Sequence, residues 1–170
     1  MQPFECTLGL DEALPPCDPR IATNHAYWRR IRPAGAPLPG RQHFDPAAVP
    51  RLLPTIRLYD VFRNPWRFRY RLMGSELARI LGRDLTGQWF DAGPRGSRSW
   101  RSYEDLMFVA AGSGLSYHRG FPIFSAAEKD HLTSERILLP LARDGTTVDI
   151  LLGLSIHHPA SADAVLQHTA

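Results

Sequence analysis

The sequence has little cysteine, almost no lysine and no long apolar run. Cys6 and Cys17 are its only cysteines, and both lie in a proline-bearing N-terminal stretch, which predicts a reduced cytoplasmic protein without a disulfide framework. No apolar run approaches the roughly 20 residues that span a bilayer. The first residues include acidic side chains and lack the basic start of a secretory signal. The sequence therefore predicts neither a membrane segment nor a leader.

Net positive charge is also scarce. Twenty Lys and Arg residues face 17 Asp and Glu residues, so the formal net charge is only +3 at pH 7. An excess of this size does not by itself indicate a nucleic-acid partner. Lys129 is the only lysine among the 20 basic residues, and this preference for arginine fits genomic coding bias better than a chemical role.

The chain is long enough to bury a core within one domain. It has 170 residues, of which 44% are hydrophobic. The first 20 residues contain four prolines and little periodicity. We therefore expect a flexible tail over residues 1–22, a single domain over 23–157 and a polar tail over 158–170.

A hairpin followed by a helix forms the centre of the predicted fold. Residues 56–61 are apolar and rich in strand-forming side chains, and the following strand alternates arginine with apolar residues. Ser75 is expected to cap the next helix, which folds back over the hairpin. The residues that the alternation places in the core are Phe68, Tyr70 and Leu72.

A longer helix and three further strands complete the pattern. Strands are predicted over residues 115–124, 133–141 and 148–156, and Asp144-Gly145 is a strong turn signal between the last two. Strands and helices in this order predict an α+β fold. The expected architecture is a five-stranded antiparallel sheet with helices on one face and a short N-terminal helix.

The last strand also predicts an apolar patch on the other face. If Ile150 and Leu152 point to the core, Leu151 points outward, and Leu138 does the same on the neighbouring strand. The apolar side of a short helix over residues 25–31, or a second subunit, is the expected cover. The predicted interface residues are Tyr27, Trp28, Ile31, Leu138 and Leu151.

Several segments resemble the bacterial PAS-like family of small, mostly single-domain proteins. The resemblance runs from about Tyr27 to Ile156, nearly the whole chain. It implies a five-stranded sheet that cups a small pocket beneath its helices, and a role as a sensory or adaptor module. The segments that carry it are YWRRIRP, PLPGRQHFDPAAVPRLLPTIRLYDV, RFRYRLMGSELARILGRDLTGQWF, ILLPLARDG and ILLGLSI.

The residue types argue against a resident cofactor and against catalysis. Neither cysteine lies near the predicted core, where flavin photosensors of the PAS class use one. His118 and His131 are the only core-region histidines, and an ordinary strand or loop position is favoured over a haem or metal ligand for both. Glu104 and Asp105 are adjacent on a helix and point in different directions. We expect no cofactor, no metal and no enzymatic activity.

The predicted interior contains candidate ligand-binding side chains. The simplest interpretation is that they fill a core. The alternative is that two or three aromatics line a cavity for a small apolar or aromatic ligand, with tyrosine hydroxyls, Trp89 and Arg136 orienting it. The candidates are Tyr70, Leu81, Trp89, Tyr103, Met107, Tyr117 and Leu139.

Two functions remain open at this point. The first is a ligand-responsive sensor that acts in trans on a signalling partner such as a histidine kinase. The second is a ligand-free interaction module that dimerises or docks through the predicted interface. Both predict a homodimer or a protein partner, without nucleic acid or membrane.

Overall fold

The computed structural model describes residues 4–120, 122 and 132–159. Within these ranges, no helix combines the length and the hydropathy that a membrane crossing requires. The helices are α1 (Pro19–Arg30), α2 (Ser75–Leu81) and α3 (Arg98–Ala110), with short 3-10 turns at Arg41–His43, Pro46–Ala48 and Leu53–Thr55. The strands are β1 (Phe4–Leu8), β2 (Ile56–Phe62), β3 (Arg67–Met73), β4 (Leu115–Gly120), β5 (Leu132–Leu141) and β6 (Ile150–Pro159).

One antiparallel sheet organises the described residues. Its strand order is β1-β4-β5-β6-β2-β3, and every pair of neighbours is antiparallel. Both predicted hairpins are present, as β2–β3 and as β5–β6. The predicted α+β class is therefore confirmed. The sheet has six strands within the described ranges rather than five, because β1 pairs along the free edge of β4.

Residues 4–22 belong to the fold, which corrects the prediction of a flexible tail for this part of residues 1–22. Cys6 lies opposite Tyr117 in the β1–β4 ladder. Asp18 caps α1, because its carboxylate accepts a hydrogen bond from the Arg20 amide at 2.8 Å, and Pro19 fills the first helical position. The helix therefore begins at Pro19 rather than at residue 25, and the Asp-Pro pair is the sequence signal for that start.

One side of the sheet, the α1 face, is predominantly an aliphatic core. Residues that lie directly opposite each other in antiparallel strands point to the same side. Helix α1 packs across β5 and β6, and the Trp28 indole, fully buried, donates a hydrogen bond to the Pro140 carbonyl at 2.8 Å. The side chains that β5 and β6 send to this face are Ile137, Leu139, Leu141, Ile150, Leu152, Leu154 and Ile156.

The opposite side, the α3 face, is polar over part of its area. Helix α3 packs across β4, β5 and β6. Ser97 caps this helix by accepting a hydrogen bond from the Trp100 amide at 3.1 Å. The buried side chains that the sheet sends to this face include Arg57, Tyr59, Ser116, His118, Arg136, Leu138, Leu151 and Ser155.

The apolar patch predicted to be exposed is buried within the single chain. Leu138 is 6% exposed and Leu151 is 0% exposed, because α3 covers their face. Tyr27 and Trp28 are also buried, and Ile31 is half-buried, because α1 packs on the other face. The premise of the predicted interface, an uncovered sheet face, is therefore wrong. When helices cover both faces of a sheet, they bury side chains at both the odd and the even positions of its strands.

The β3–α2 region also departs from prediction. The β2–β3 register shifts between Leu58 and Tyr59, so Met73 is buried and Leu72 is 42% exposed. Ser75 is the first residue of α2 rather than its cap, and Gly74 occupies the cap position. A Cβ added at Gly74 would lie 2.3 Å from the Pro54 carbonyl oxygen, so only glycine fits there.

Candidate functional site

A small cavity lies between α3 and the polar part of the α3 face, and we refer to it as the α3 pocket. Its volume is about 20 Å³. A single water needs roughly 10–15 Å³, so the described conformation accommodates only a very small group. The walls combine charged, hydroxyl and apolar side chains. The lining residues are Arg57, Tyr59, Phe90, Ser102, Asp105, Leu106, Ser116, Arg136, Ile137 and Leu138.

Arg57 reaches the α3 pocket because the residue opposite it is glycine. In the β2–β6 ladder Arg57 pairs with Gly153, and a Cβ at Gly153 would lie 2.9 Å from the Arg57 Cγ and 3.0 Å from its Nε. The side chain therefore lies flat across β6, and its Nη1 donates to the Ser155 hydroxyl. Arg57 is 4% exposed, and its Nε has no hydrogen-bond partner among the described residues.

Arg136 is the second buried guanidinium of the α3 pocket. It lies on β5, is 8% exposed, and its Nη2 is 3.7 Å from Oδ2 of Asp105 on α3. Burial lowers the pKa of Arg136 to about 10, a change that the carboxylates of Asp105 and Glu5 oppose and that the positive charge of Arg57 reinforces. The two guanidinium groups therefore act on each other through the same buried space.

Asp105 is the carboxylate that faces this positive charge. Burial raises its pKa, while Arg136 and a hydrogen bond with Ser116 act in the opposite direction. At 3.7 Å the contact with Arg136 is longer than a hydrogen bond. The pair is thus an ion pair without the direct bidentate geometry that gives Arg–carboxylate contacts their strength.

His118 and Glu5 form the rim beside β1. The His118 Nε2 lies 2.7 Å from the Glu5 Oε1, and the Glu5 side chain is half-exposed. Burial, together with Arg136 and Arg101, lowers the pKa of His118 to about 3. Two arginines and burial outweigh one half-exposed carboxylate, so His118 is neutral at pH 7. Because His118 is neutral, Glu5 keeps its negative charge, and this charge acts on both Arg136 and Asp105.

The charges around the α3 pocket are close but incompletely paired. Arg57 and Arg136 face the Asp105 carboxylate at 3.7 Å from Arg136 and the Glu5 carboxylate at the rim, while the Arg57 Nε has no hydrogen-bond acceptor among the described residues. A buried charge without a partner is costly, and proteins normally satisfy such a group with an opposite charge or hydrogen bonds. The α3 pocket is therefore a polar site with one buried guanidinium donor that has no acceptor among the described residues.

Aromatic rings close one end of the α3 pocket. Tyr59 lies 4.8 Å from the Tyr70 ring, and Phe90 lies 6.2 Å from Tyr59 and 6.0 Å from Tyr70, measured between centroids. Burial, with Tyr59 as its neighbour, raises the pKa of the Tyr70 hydroxyl, so this phenol is neutral at physiological pH. The wall thus offers apolar surface next to the arginine pair.

The predicted ligand-binding residues lie around the site rather than in it. Tyr70 stands behind Tyr59, while Leu81, Tyr103 and Met107 are half-buried on the helices. The Tyr103 hydroxyl donates to the Trp66 carbonyl at 2.8 Å.

Three further predicted residues lie away from the α3 pocket. Tyr117 and Leu139 point to the α1 face, where the Tyr117 hydroxyl donates to Glu135 at 3.0 Å. Trp89 is 44% exposed, so the prediction that it faces the interior is wrong.

The sequence analysis named Arg136 as a group that orients a ligand. It did not identify Arg57 or Asp105 as residues that line the pocket, and it did not identify Gly153 as the residue that makes room for Arg57. The signal for Arg57 is a charged side chain inside the apolar run of residues 56–61. The signal for Gly153 is a glycine inside a strongly alternating strand, which often marks close approach by another group.

The described residues do not assemble a metal site. No cluster of three or more His, Cys, Asp or Glu side chains with metal-binding geometry occurs in the ranges that the structure covers. His118 lies on the α3 face beside Glu5, and His131 falls outside the described residues. Cys6 and Cys17, both half-buried, are not among the residues that line the α3 pocket.

An antiparallel sheet with helices that close a small pocket over one face is the architecture that the sequence resemblance implied. Sequence comparison agrees with the architecture, because the profile described as PAS domain matches residues 19–156. The chain belongs to the PAS domain family, as its motifs predicted.

A comparison with solved structures finds a similar chain titled as an RNA-binding light-oxygen-voltage receptor. The two chains share 15% sequence identity with a TM-score of 0.49, over 99% of this chain and 42% of that one. This chain thus spans less than half of the receptor, and we transfer nothing from the receptor to it. No curated protein matches the sequence.

Proposed function

We propose that the protein is a non-catalytic sensory module that binds a small molecule in the α3 pocket and reports its presence in trans to a signalling protein such as a histidine kinase. The observation that carries the proposal is the cavity itself, with two buried arginines on one wall and apolar side chains on the other. Natural interiors satisfy buried polar groups, and exceptions mark functional positions. Membership of the PAS family supports the sensory role.

The α3 pocket joins two elements that a ligand can separate. Asp105 belongs to α3 and Arg136 belongs to β5, and their 3.7 Å contact crosses the pocket. A ligand that contacts Arg136 competes with Asp105 and favours a different position of α3 relative to the sheet. A partner that binds α3 in one of the two positions then senses occupancy.

The test uses the freshly purified full chain in native mass spectrometry, followed by a thermal-shift screen of small metabolites. We expect either a stoichiometric adduct or a compound that raises the melting temperature through binding to the native state. Ser102→Val, which adds carbon atoms inside the α3 pocket, should abolish the effect, while the exposed Ser113→Val should retain it. Binding that persists in Ser102→Val, or the absence of both an adduct and a stabilising compound, would contradict the sensor.

A second candidate, an interaction module without a ligand, is favoured by an exposed aromatic pair. Phe62 and Trp89 are 38% and 44% exposed, and their ring centroids lie 5.0 Å apart. The Arg67 guanidinium stacks on Trp89 at 3.7 Å, and Arg69 borders Phe62 at 5.5 Å. Exposed aromatics beside arginine are typical of binding hot spots. A protein partner with acidic side chains around an apolar centre fits this surface.

Size-exclusion chromatography with light scattering separates this candidate from the sensor. Trp89→Ala should weaken binding of a signalling partner, or a homodimer, that uses the aromatic pair, and should leave ligand stabilisation unchanged. Exposed Leu72→Ala is the matched control, since it removes apolar area outside the pair. Equal assembly by the wild-type and Trp89→Ala proteins would exclude this surface.

A further inference from the structure

We propose that the ligand of the α3 pocket is a small monocarboxylate, held by the guanidinium groups of Arg57 and Arg136. This inference rests on the proposed function and specifies its ligand class. Two buried guanidinium groups line the α3 pocket, and the Arg57 Nε among them has no hydrogen-bond acceptor in the described residues. Guanidinium forks bind carboxylates in planar, charge-assisted geometry, and the apolar neighbours favour an organic body over a bare inorganic ion.

Arg57 supplies the strongest structural reason. Its side chain is 96% buried, with 4% exposed, and Nε lacks a hydrogen-bond partner among the described residues. Its Nη1 donates to Ser155, a neutral hydroxyl, and its guanidinium lies 5.9 Å from the centroid of the Tyr59 ring, so it has no direct carboxylate partner. A carboxylate oxygen between the two guanidinium groups would provide the missing acceptor.

Gly153 holds Arg57 in the binding position. Because a Cβ at this residue would lie 2.9 Å from Arg57 Cγ, any larger side chain pushes the guanidinium away from β6 and from Ser155. Gly153 thus acts as a positioning residue for the anion site, although it offers no group to the ligand. Strand β6 also places Leu151 on the α3 face, where it is fully buried. A substitution at Gly153 therefore acts within a tightly packed part of the sheet.

The remaining walls set the size and shape of the ligand. Tyr59, Phe90, Leu106 and Leu138 provide the apolar contact surface. The cavity of about 20 Å³ is smaller than a carboxylic acid of even a few carbons, so binding requires α3 to move outward. The movement would break the long Asp105–Arg136 contact and replace it with the ligand carboxylate.

The test compares acids with their amides on the full-length protein. Sodium acetate, butyrate and benzoate are titrated against acetamide, butyramide and benzamide at constant ionic strength, with melting temperature and calorimetry as readouts. We expect stabilisation by at least one carboxylate and none by its amide. Arg57→Met and Gly153→Ala should each weaken the affinity by at least about tenfold, and Arg143→Met, at an exposed position, should not change it.

The outcomes separate this inference from the proposed function. Equal stabilisation by an acid and its amide, abolished by Ser102→Val, would retain the sensor and overturn the carboxylate class. Unchanged carboxylate affinity in both Arg57→Met and Gly153→Ala would also overturn the class. If Arg57→Met fails to fold, Arg57→Lys and Gly153→Ala carry the test, since both keep the positive charge. Stabilisation by no compound of any class would overturn both proposals.

Discussion

The two faces of the sheet use the same strands for different purposes. On β5, Ile137 and Leu139 point to the α1 face, where their neighbours are aliphatic and fully buried. Arg136 and Leu138 alternate with them along the strand and point to the α3 face, where Arg136 meets a second buried arginine. One parity of a strand thus builds the core, and the other parity builds a polar pocket.

The contrast extends to how polar groups are satisfied. On the α1 face the Glu135 carboxylate accepts hydrogen bonds from the Asp18 amide at 2.8 Å and from the Tyr117 hydroxyl at 3.0 Å. Asn24 and His25 on α1 are exceptions, since each has buried atoms without a partner among the described residues. On the α3 face the unsatisfied atoms include the Nε of the charged Arg57 beside the cavity and the Nδ1 of the neutral His118 at its rim. Aliphatic packing therefore dominates the first face, and the second face carries the pocket in which we propose that a ligand binds.

The largest expected effect tests the α1 face as the core. Leu154→Ala should reduce the free energy of unfolding by roughly 2–5 kcal/mol, because it leaves a cavity among fully buried aliphatic side chains. Urea denaturation monitored by tryptophan fluorescence measures the change. Leu72→Ala, at a leucine that is 42% exposed, is the matched control and should cost much less. Equal losses would show that burial does not distinguish the two positions.

The second prediction concerns pH and the rim of the α3 pocket. A histidine whose pKa is lowered on folding binds fewer protons in the native state, so its stabilisation is complete above pH 6.5 and is lost as the pH falls toward 3. Wild-type protein should therefore lose up to about 2 kcal/mol between pH 7.5 and pH 5 through His118. His118→Gln should remove that part of the loss in urea titrations at both pH values. An unchanged pH dependence in the variant would mean that His118 is protonated in the native state.

The third prediction tests whether the buried charge of Arg57 lacks a partner in the ligand-free protein. In ligand-free protein Arg57→Met should raise the free energy of unfolding by about 1 kcal/mol, because an apolar side chain replaces a buried charge that lacks a carboxylate partner. Chemical denaturation before and after exhaustive dialysis measures this change. A loss of several kcal/mol in dialysed protein would instead identify Arg57 as a satisfied structural residue.

The smallest expected effect lies outside both faces. Arg67→Gln removes the stacking of an exposed guanidinium on Trp89, an interaction worth about 0.5 kcal/mol at such sites. Thermal unfolding should therefore change little, and ligand stabilisation should not change. A large loss of stability would mean that the aromatic pair supports the hairpin edge as a structural element.

Local patterns in the sequence predicted the fold class well. Both hairpins, helix α2 and the family were derived from alternation, turn residues and motifs such as Asp144-Gly145, because these signals depend on near neighbours. Strand β1 was missed since its only support is pairing with β4, more than 100 residues away along the chain. The α3 pocket was mostly missed for a related reason. A charged residue in a strand gives the same sequence alternation whether its side chain faces water or a helix. Only the tertiary packing determines whether that side chain is exposed or buried.

The separation of the two faces is tested most directly by measuring, in three proteins, the response to whichever of acetate, butyrate and benzoate stabilises the wild type most. Wild-type protein at 100 times the dissociation constant should gain roughly 5–10 °C in melting temperature. Ile156→Val, a mild change on the α1 face, should lower the starting temperature and keep the gain. Arg57→Met should keep or raise the starting temperature and lose the gain. A gain that disappears in Ile156→Val, or survives in Arg57→Met, would contradict the division of the sheet into a core face and a recognition face.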